Sequence, residues 1–296
     1  MIRMATELDI EQLAHFLYSC NATSKHHIGY CGQDEREIKS TLKHEFSDLP
    51  FENSMIIAIE NEQIYASIGL DFDEDDQSAE VWGPFIKEGV SELLLPEMWM
   101  KLCEQLPIPL EQPHFFINID NTEAIAFAEK VGTKMRGHHY ILHKERQNHV
   151  FESSESIHKL DSTNAEAFQK LHNIAFPNTY YDALSILSRL NENRVVFCYC
   201  DDEGLKGYVY VEADVENGEG TIEYIAVDDR FRKQGLGGKL LMHGLDFLFT
   251  YDAITEISLT VKKTELGAIH LYQSGGFDVH HELVFMKEES SCGNRS

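Results

Sequence analysis

Basic residues are scarce in this chain: 25 Lys and Arg stand against 50 Asp and Glu, a formal net charge of −25 over 296 residues. So negative a surface repels a phosphate backbone, which excludes nucleic acid as the expected partner. It suits a cationic small molecule, and it serves solubility equally well. Long apolar runs are lacking too. None approaches the roughly 18 residues that span a bilayer, and Met1–Glu7 turns polar and acidic before a signal-peptide core forms. No membrane partner and a cytoplasmic location are expected. The six cysteines (Cys20, Cys31, Cys103, Cys198, Cys200 and Cys292) form no C-x-x-C pair. Cys198 and Cys200 fall on one strand face as small hydrophobes. The histidines include the adjacent pairs His26-His27, His138-His139 and His280-His281. Neighbours on a strand point to opposite faces and chelate poorly, so hydrogen-bonded or solvated histidines and no metal are expected. Two phosphate-binding patterns are absent as well, G-x-x-x-x-G-K-[ST] and a G-x-G-x-x-G followed by an acidic residue.

What is present is the composition of a soluble globular protein, 43% hydrophobic and 25% charged, at a length that holds two ordinary domains. In the second half the pattern predicts a strand over Ser156–Leu160 and a helix to Phe176, opened by a Thr163/Glu166 capping box. A second helix covers Tyr181–Leu190. Strands follow at Arg194–Cys200, Leu205–Ala213 and Thr221–Val227, with turns at Asp201–Gly204 and Glu216–Gly220. Leu236, Leu240, Leu241, Leu245 and Leu248 recur at helical spacing. Glu256–Val261 reads as a strand, Leu266–Ser274 as a helix, Phe277–Lys287 as closing strands and 290–296 as a polar tail.

The first half repeats this order. Asn121–Ala128, ending at Gly132, aligns without a gap on Glu265–Tyr272, ending at Gly276: Ala124 pairs with Ala268, Phe127 with Leu271, Gly132 with Gly276. Met55–Glu60, Ile64–Phe72 and Ala79–Phe85 take the places of the strands before the Gly-rich loop. A duplicated fold is expected, with one domain over 1–146 and another over 151–289, joined in the polar stretch Glu145–Ser154.

Chemistry concentrates in Ile225-Ala-Val227-Asp-Asp-Arg230-Phe-Arg232-Lys233-Gln234-Gly235-Leu236-Gly237-Gly238-Lys239. A strand ends at Val227, and glycines then open an amphipathic helix. Glycines let the backbone turn tightly and approach a ligand. The free N–H groups of a helix start attract anions, and Arg230, Arg232, Lys233 and Lys239 add positive charge in an acidic chain. A phosphate site is the expectation.

These residues resemble the GNAT superfamily of N-acetyltransferases. Arg232-Lys-Gln-Gly235-Leu-Gly237 matches its [QR]-x-x-G-x-[GA] signature, and Ala268-Ile-His-Leu271-Tyr272-Gln-Ser-Gly-Gly276-Phe277 matches its later motif. The resemblance is strong over the second half and weak over the first, and the layout is similar to the tandem members of the family. It implies an α/β fold of two GNAT-like domains, each a mixed, mostly antiparallel sheet flanked by helices. The strands Thr221–Val227 and Glu256–Val261 would splay to admit the pantetheine of acetyl-CoA. Backbone groups of Ile225 and Val227 would hold that arm, and N–H groups from Lys233 to Lys239, Gln234, Leu236 and Gly238 among them, the pyrophosphate. Tyr272 falls where the family places the acid that protonates the leaving thiolate. Glu223 shares a strand face with Ile225 and Val227 on simple alternation and is the candidate base, with Tyr224, Asp228 and His270 as alternatives. The last motif begins with Glu265, where the family often has Asn.

In the first half, Val90 and Glu92 fall near the places of Gly235 and Gly237, Glu88 and Glu92 would repel a pyrophosphate, and Ala128 replaces Tyr272. That half is expected to lack the pyrophosphate loop and to be catalytically silent. The implied activity is acetyl transfer from acetyl-CoA to a primary amine of a small cationic acceptor. The competing class is a non-catalytic acyl-CoA sensor, which needs the loop but no acid or base.

Overall fold

The computed structural model describes residues 1–87, 89, 91–151, 156–177 and 179–288. Glu88, Val90, the end of the expected joint at 152–155 and the tail 290–296 lie outside them. The first half runs β1 (Ile2–Met4), α1 (Ile10–Asn21), α2 (Glu35–His44), α3 (Phe51–Ser54), β2 (Met55–Glu60), β3 (Gln63–Asp73), β4 (Ser78–Ile86), α4 (Leu95–Glu104), β5 (Gln112–Asn118), α5 (Thr122–Lys130) and β6 (Lys134–Glu145). The second runs β7 (Ile157–Lys159), α6 (Ala165–Ala175), α7 (Ala183–Arg189), β8 (Arg194–Asp201), β9 (Gly204–Asp214), β10 (Glu219–Val227), α8 (Leu236–Leu248), β11 (Glu256–Lys262), α9 (Leu266–Ser274) and β12 (Asp278–Lys287).

The chain divides into two compact units, Met1–His139 with His281–Ser296, and Tyr140–His280. The division falls inside β6 and inside β12, not at the polar stretch Glu145–Ser154. Hydrophobic packing explains this: Leu142 is fully buried in the core of the second unit and Tyr140 packs against it, whereas Val284 and Met286 are buried in the first. The described part of the expected joint is tied down as well. Arg146 N–H donates to the Thr255 carbonyl at 2.8 Å, and His149 Nε2 meets Asp246 at 2.7 Å.

In the first unit the strand order is β1-β2-β3-β4-β5-β12. β12 runs antiparallel to β5 with Val284 opposite Ile117, and β4 meets β5 in parallel only from Ser78 to Glu80. The second unit holds the antiparallel sheet β10-β9-β8-β7, while β11 lies beside β6. One face of the four-stranded sheet packs on α8, whose Leu240, Leu241, Leu245 and Leu248 are fully buried. Burying each such leucine is worth about 1.5–3 kcal/mol. The other face carries Tyr208, Tyr210 and Ala226 against Phe168 and Ile186 of α6 and α7.

The duplication is visible in the backbone. Asn121 before α5 has φ −85° and ψ 68°, and Glu265 before α9 has −88° and 64°. Gly132 and Gly276 both adopt positive φ, +98° and +82°. One local expectation fails: α6 is not opened by a Thr163/Glu166 box. Its first residue is Ala165, and Asp161 Oδ1 instead accepts the N–H groups of Thr163 and Asn164, each at 3.0 Å.

Gly207 on β9 is required by close packing. A Cβ there would lie 2.8 Å from the Ala226 carbonyl oxygen and 2.9 Å from Leu240. Because one obstacle is backbone, Gly207→Val is expected to cost about 2–3 kcal/mol, read as a lower midpoint in urea denaturation with an unchanged slope.

Candidate active site

The site is built where β10 gives way to α8. Asp228 N–H donates to the Lys206 carbonyl at 2.9 Å, which fixes the hydrogen-bonding phase of the β9–β10 ladder. Antiparallel pairs alternate between bonded and non-bonded, so Ile225 and Val227, opposite Val209 and Gly207, turn their backbone groups away from β9. They face an open edge: β10 ends its sheet, and β11 does not hydrogen-bond to it. The two strands come close at Gly220, where a Cβ would lie 3.4 Å from Ile257 Cγ1. Among the described residues, the Val227 carbonyl is the only one of the outward groups at 225 and 227 that is taken, by Arg232 Nε at 3.1 Å.

Beyond Asp228 the chain makes a short turn (Asp229–Phe231), passes Lys233 at φ 61° and enters α8 through Gly235 at φ +79°. The left-handed conformation at Gly235 ends one backbone direction and begins another, which a residue with a Cβ adopts only under strain. The first bond of the helix runs from Lys239 N–H to the Gly235 carbonyl at 3.2 Å. Among the described residues the consecutive N–H groups of Lys233 to Gly238 have no acceptor. Helix starts always leave such donors, but here a preceding loop extends the row. Gly237 and Gly238 are not demanded by protein packing: a Cβ at Gly237 would sit 3.4 Å from Leu271, an ordinary contact, and one at Gly238 would meet nothing within 4 Å.

Two of the four basic residues are already engaged by carboxylates of the loop. Arg230 is paired with Asp228 at 2.9 Å and Arg232 with Asp229 at 2.8 Å, because these aspartates sit one short turn earlier. Lys233 and Lys239 have no carboxylate partner among the described residues. Asp228 is thereby committed to Arg230, whose side chain holds its carboxyl down at about 2 and makes it a poor proton acceptor.

Tyr272 lies on α9 and packs with Ile225, Val227 and Leu259 against one core cluster. Its ring contacts Phe277 edge-on at 5.6 Å, and its hydroxyl has no protein partner among the described residues. Burial, then the charge of Glu265, pushes the phenol up to about 12. It stays protonated at neutral pH and is free to donate. Glu265 thus acts on Tyr272, an effect the sequence reading missed.

Glu223 is not on the face of Ile225 and Val227. The β9–β10 register slips between Ile222 and Tyr224, and this bulge breaks the alternation on which the face assignment relied. Glu223 instead interacts with Glu212 and Arg189, and burial first, then Glu212, raises its carboxyl above the ordinary range. It has no hydrogen bond or ion pair among the described residues. Tyr224 beside it is bound through its hydroxyl to Thr179 at 2.6 Å and to the Tyr181 N–H at 3.2 Å. Buried His172 secures the same loop. Its Nε2 donates to the Tyr181 carbonyl at 2.9 Å, which leaves Nδ1 to accept from Tyr208 at 2.6 Å. His270 is exposed.

The first unit differs at each of these points. The residue preceding α4, in the place of Gly235, is Leu94, at φ −78° and ψ −22°. The helix start therefore lies later than the alignment through Val90 and Glu92 supposed, and Glu92 belongs to a short turn whose carbonyl takes the Leu95 N–H. Past Glu80 and His114, β4 and β5 part, and the freed edge of β5 is filled by the chain itself. Ile28 bridges Ile117, with Gly29 N–H donating to Phe116 O at 2.6 Å and Asn118 N–H to His27 O at 3.1 Å. Asn21 locks this segment by accepting the Ile28 N–H at 2.7 Å. Ala128 is fully buried. The sequence reading missed this plug, since nothing in His27-Ile28-Gly29 marks it as a strand.

Over nearly its whole length the chain has the fold of tandem GNAT proteins. It superimposes on a GCN5-related N-acetyltransferase from Sphaerobacter thermophilus with a TM-score of 0.71 at 17% identity, covering 98% of this chain and 95% of that one. A tandem GNAT protein from the clavulanic acid biosynthesis pathway gives 0.63 at 12% identity, covering 99% of each. Residues 158–277 match the Acetyltransferase (GNAT) family. Over 60 residues the chain is 43% identical to the [Ribosomal protein bS18]-alanine N-acetyltransferase of Salmonella typhimurium, spanning 20% of this chain and about 40% of that relative's length. Among the described residues no helix is long and apolar enough to cross a membrane, and no three His, Cys, Asp or Glu side chains gather as metal ligands.

Proposed function

We propose that the second unit transfers an acetyl group from acetyl-CoA to a primary amine of a small, cationic acceptor, by direct attack in a ternary complex. The observation that carries this reading is the row of unsatisfied N–H groups from Lys233 to Gly238, set beside the outward backbone groups of Ile225 and Val227. The row holds the pyrophosphate. The Ile225 and Val227 groups hold the pantetheine and polarise the thioester carbonyl. Glu223 takes a proton from the acceptor ammonium, the amine attacks the carbonyl carbon, the C–S bond breaks, Tyr272 gives its proton to the thiolate, and the second proton lost by the attacking nitrogen restores the Tyr272 phenol. The relative's activity on an alanine amine supports transfer to nitrogen.

The first unit takes no acetyl-CoA on this reading, because Ile28 fills the edge of β5 and Leu94 replaces the left-handed glycine. Calorimetric titration of the full chain with acetyl-CoA is expected to give one site per chain. Two sites would make the first unit a binder, and no binding would leave the loop as a structural turn. Binding without thiol release to any amine of a broad panel would point to a sensor.

A further inference from the structure

On the sheet face that packs against α6 and α7 in the second unit, Glu212 of β9 is saturated with donors. Arg189 Nη2 reaches both of its oxygens at 3.0 Å, Arg194 Nε one of them at 3.1 Å, and the Tyr210 hydroxyl donates to it as well. Arg189 is itself fixed, with its guanidinium 4.2 Å from the Tyr181 ring centroid. Charge-assisted bonds of this number fix the position and orientation of the carboxylate. Glu212 stands opposite Thr221, so Glu223, two residues along and pushed out by the bulge, is its diagonal neighbour. Of the two carboxylates, only Glu223 has no partner among the described residues.

Resting on the acyl-transfer reading, we propose that Glu212 and Arg189 are positioning residues for Glu223: Glu212 is a fixed negative charge beside the proton acceptor, and Arg189 locks that charge in place while limiting its pull. In the step concerned, the acceptor R–NH3⁺ passes one proton to the Glu223 carboxylate. The freed lone pair forms the new C–N bond, and the proton on Glu223 leaves to water. Glu212 strengthens the affinity of Glu223 for that proton and Arg189 weakens it, in line with the signs of their effects on Glu223. The other groups facing the site are Arg194 on β8, Tyr210 on β9, Tyr181 on the loop before α7 and Tyr224 on β10. Tyr224 lies 4.9 Å from the His172 ring of α6 and is held through its hydroxyl.

The test is a pH titration of the full chain carrying 13C in its glutamate side-chain carboxyls, followed by NMR. The Glu223 signal is assigned by its loss in Glu223→Gln. Glu212→Gln is expected to move the Glu223 midpoint to lower pH and Arg189→Gln to higher pH, while Arg189→Lys, which keeps the charge, stays near the parent protein. Loosening of the face would carry both glutamine variants the same way, toward an ordinary glutamate. Midpoints that move together, or not at all, overturn the proposal. Acetyl-CoA calorimetry on the same samples separates the two claims and shows that each variant is folded. A parent protein that binds none overturns the acyl-transfer reading, whereas retained binding with unmoved midpoints overturns the positioning role alone.

Discussion

Gly235→Glu is expected to weaken acetyl-CoA binding at least about 100-fold while leaving the protein folded. Two effects add. Gly235 stands at φ +79°, where a residue with a Cβ is strained by roughly 1–2 kcal/mol, and the strain acts on the loop that aims the N–H groups. A carboxylate among those donors then meets a pyrophosphate of like sign, costing about 1 kcal/mol in water at contact and several times that where the site is drier. Each 1.4 kcal/mol is a factor of about ten. The fold should tolerate the change, because Gly235 is exposed and a Cβ there meets nothing within 4 Å. Gly235→Ala separates the contributions, since it carries strain without charge and should lose only about the first factor of ten. Equal affinities for parent and Gly235→Glu would mean that the pyrophosphate lies elsewhere.

The legible parts of this protein are those written in local pattern. The leucine spacing gave α8, the alignment of Gly132 with Gly276 gave the duplication, and the glycines at 235–238 gave the donor row, because each is a short-range consequence of residue type. The site depends on distances in sequence that pattern does not reach. The bulge at Glu223 is a mismatch between strand lengths, and no alternation rule shows it. Arg230 and Arg232 look like free phosphate ligands until the turn at Asp229–Phe231 folds Asp228 and Asp229 back onto them. The plug is more remote still: Ile28 finds Ile117 across the first unit, and only the parting of β4 and β5 creates the vacancy it fills. The exchange of strand residues, with Val284 in the first core and Leu142 in the second, is likewise a tertiary choice. Hydrophobic strands of equal quality compete for the same edge, and the sequence of each alone does not decide between them.

Tyr272→Phe is expected to lower the rate of thiol release about 100-fold or more, the usual scale for removing a positioned general acid, with acetyl-CoA affinity within about twofold of the parent. Among the described residues the hydroxyl has no protein partner to lose, so its removal leaves none of their buried groups unsatisfied and little stability is at stake. The ring contacts with Phe277 and the core remain. What disappears is one proton donor. Because burial and the charge of Glu265 hold the phenol at about 12, the parent protein keeps this donor protonated throughout the neutral range. Its rate should not fall on the alkaline side until near that value. Neutralising Glu265 removes part of the upward push, so Glu265→Gln should bring the alkaline fall to lower pH without abolishing turnover. A thioester whose thiol leaves with a low proton affinity, such as an aryl thioester of the same pantetheine arm, needs no acid and should narrow the gap between parent and Tyr272→Phe. If the gap stays the same with both donors, Tyr272 serves packing rather than proton transfer, and the thiolate leaves with its charge met by other groups.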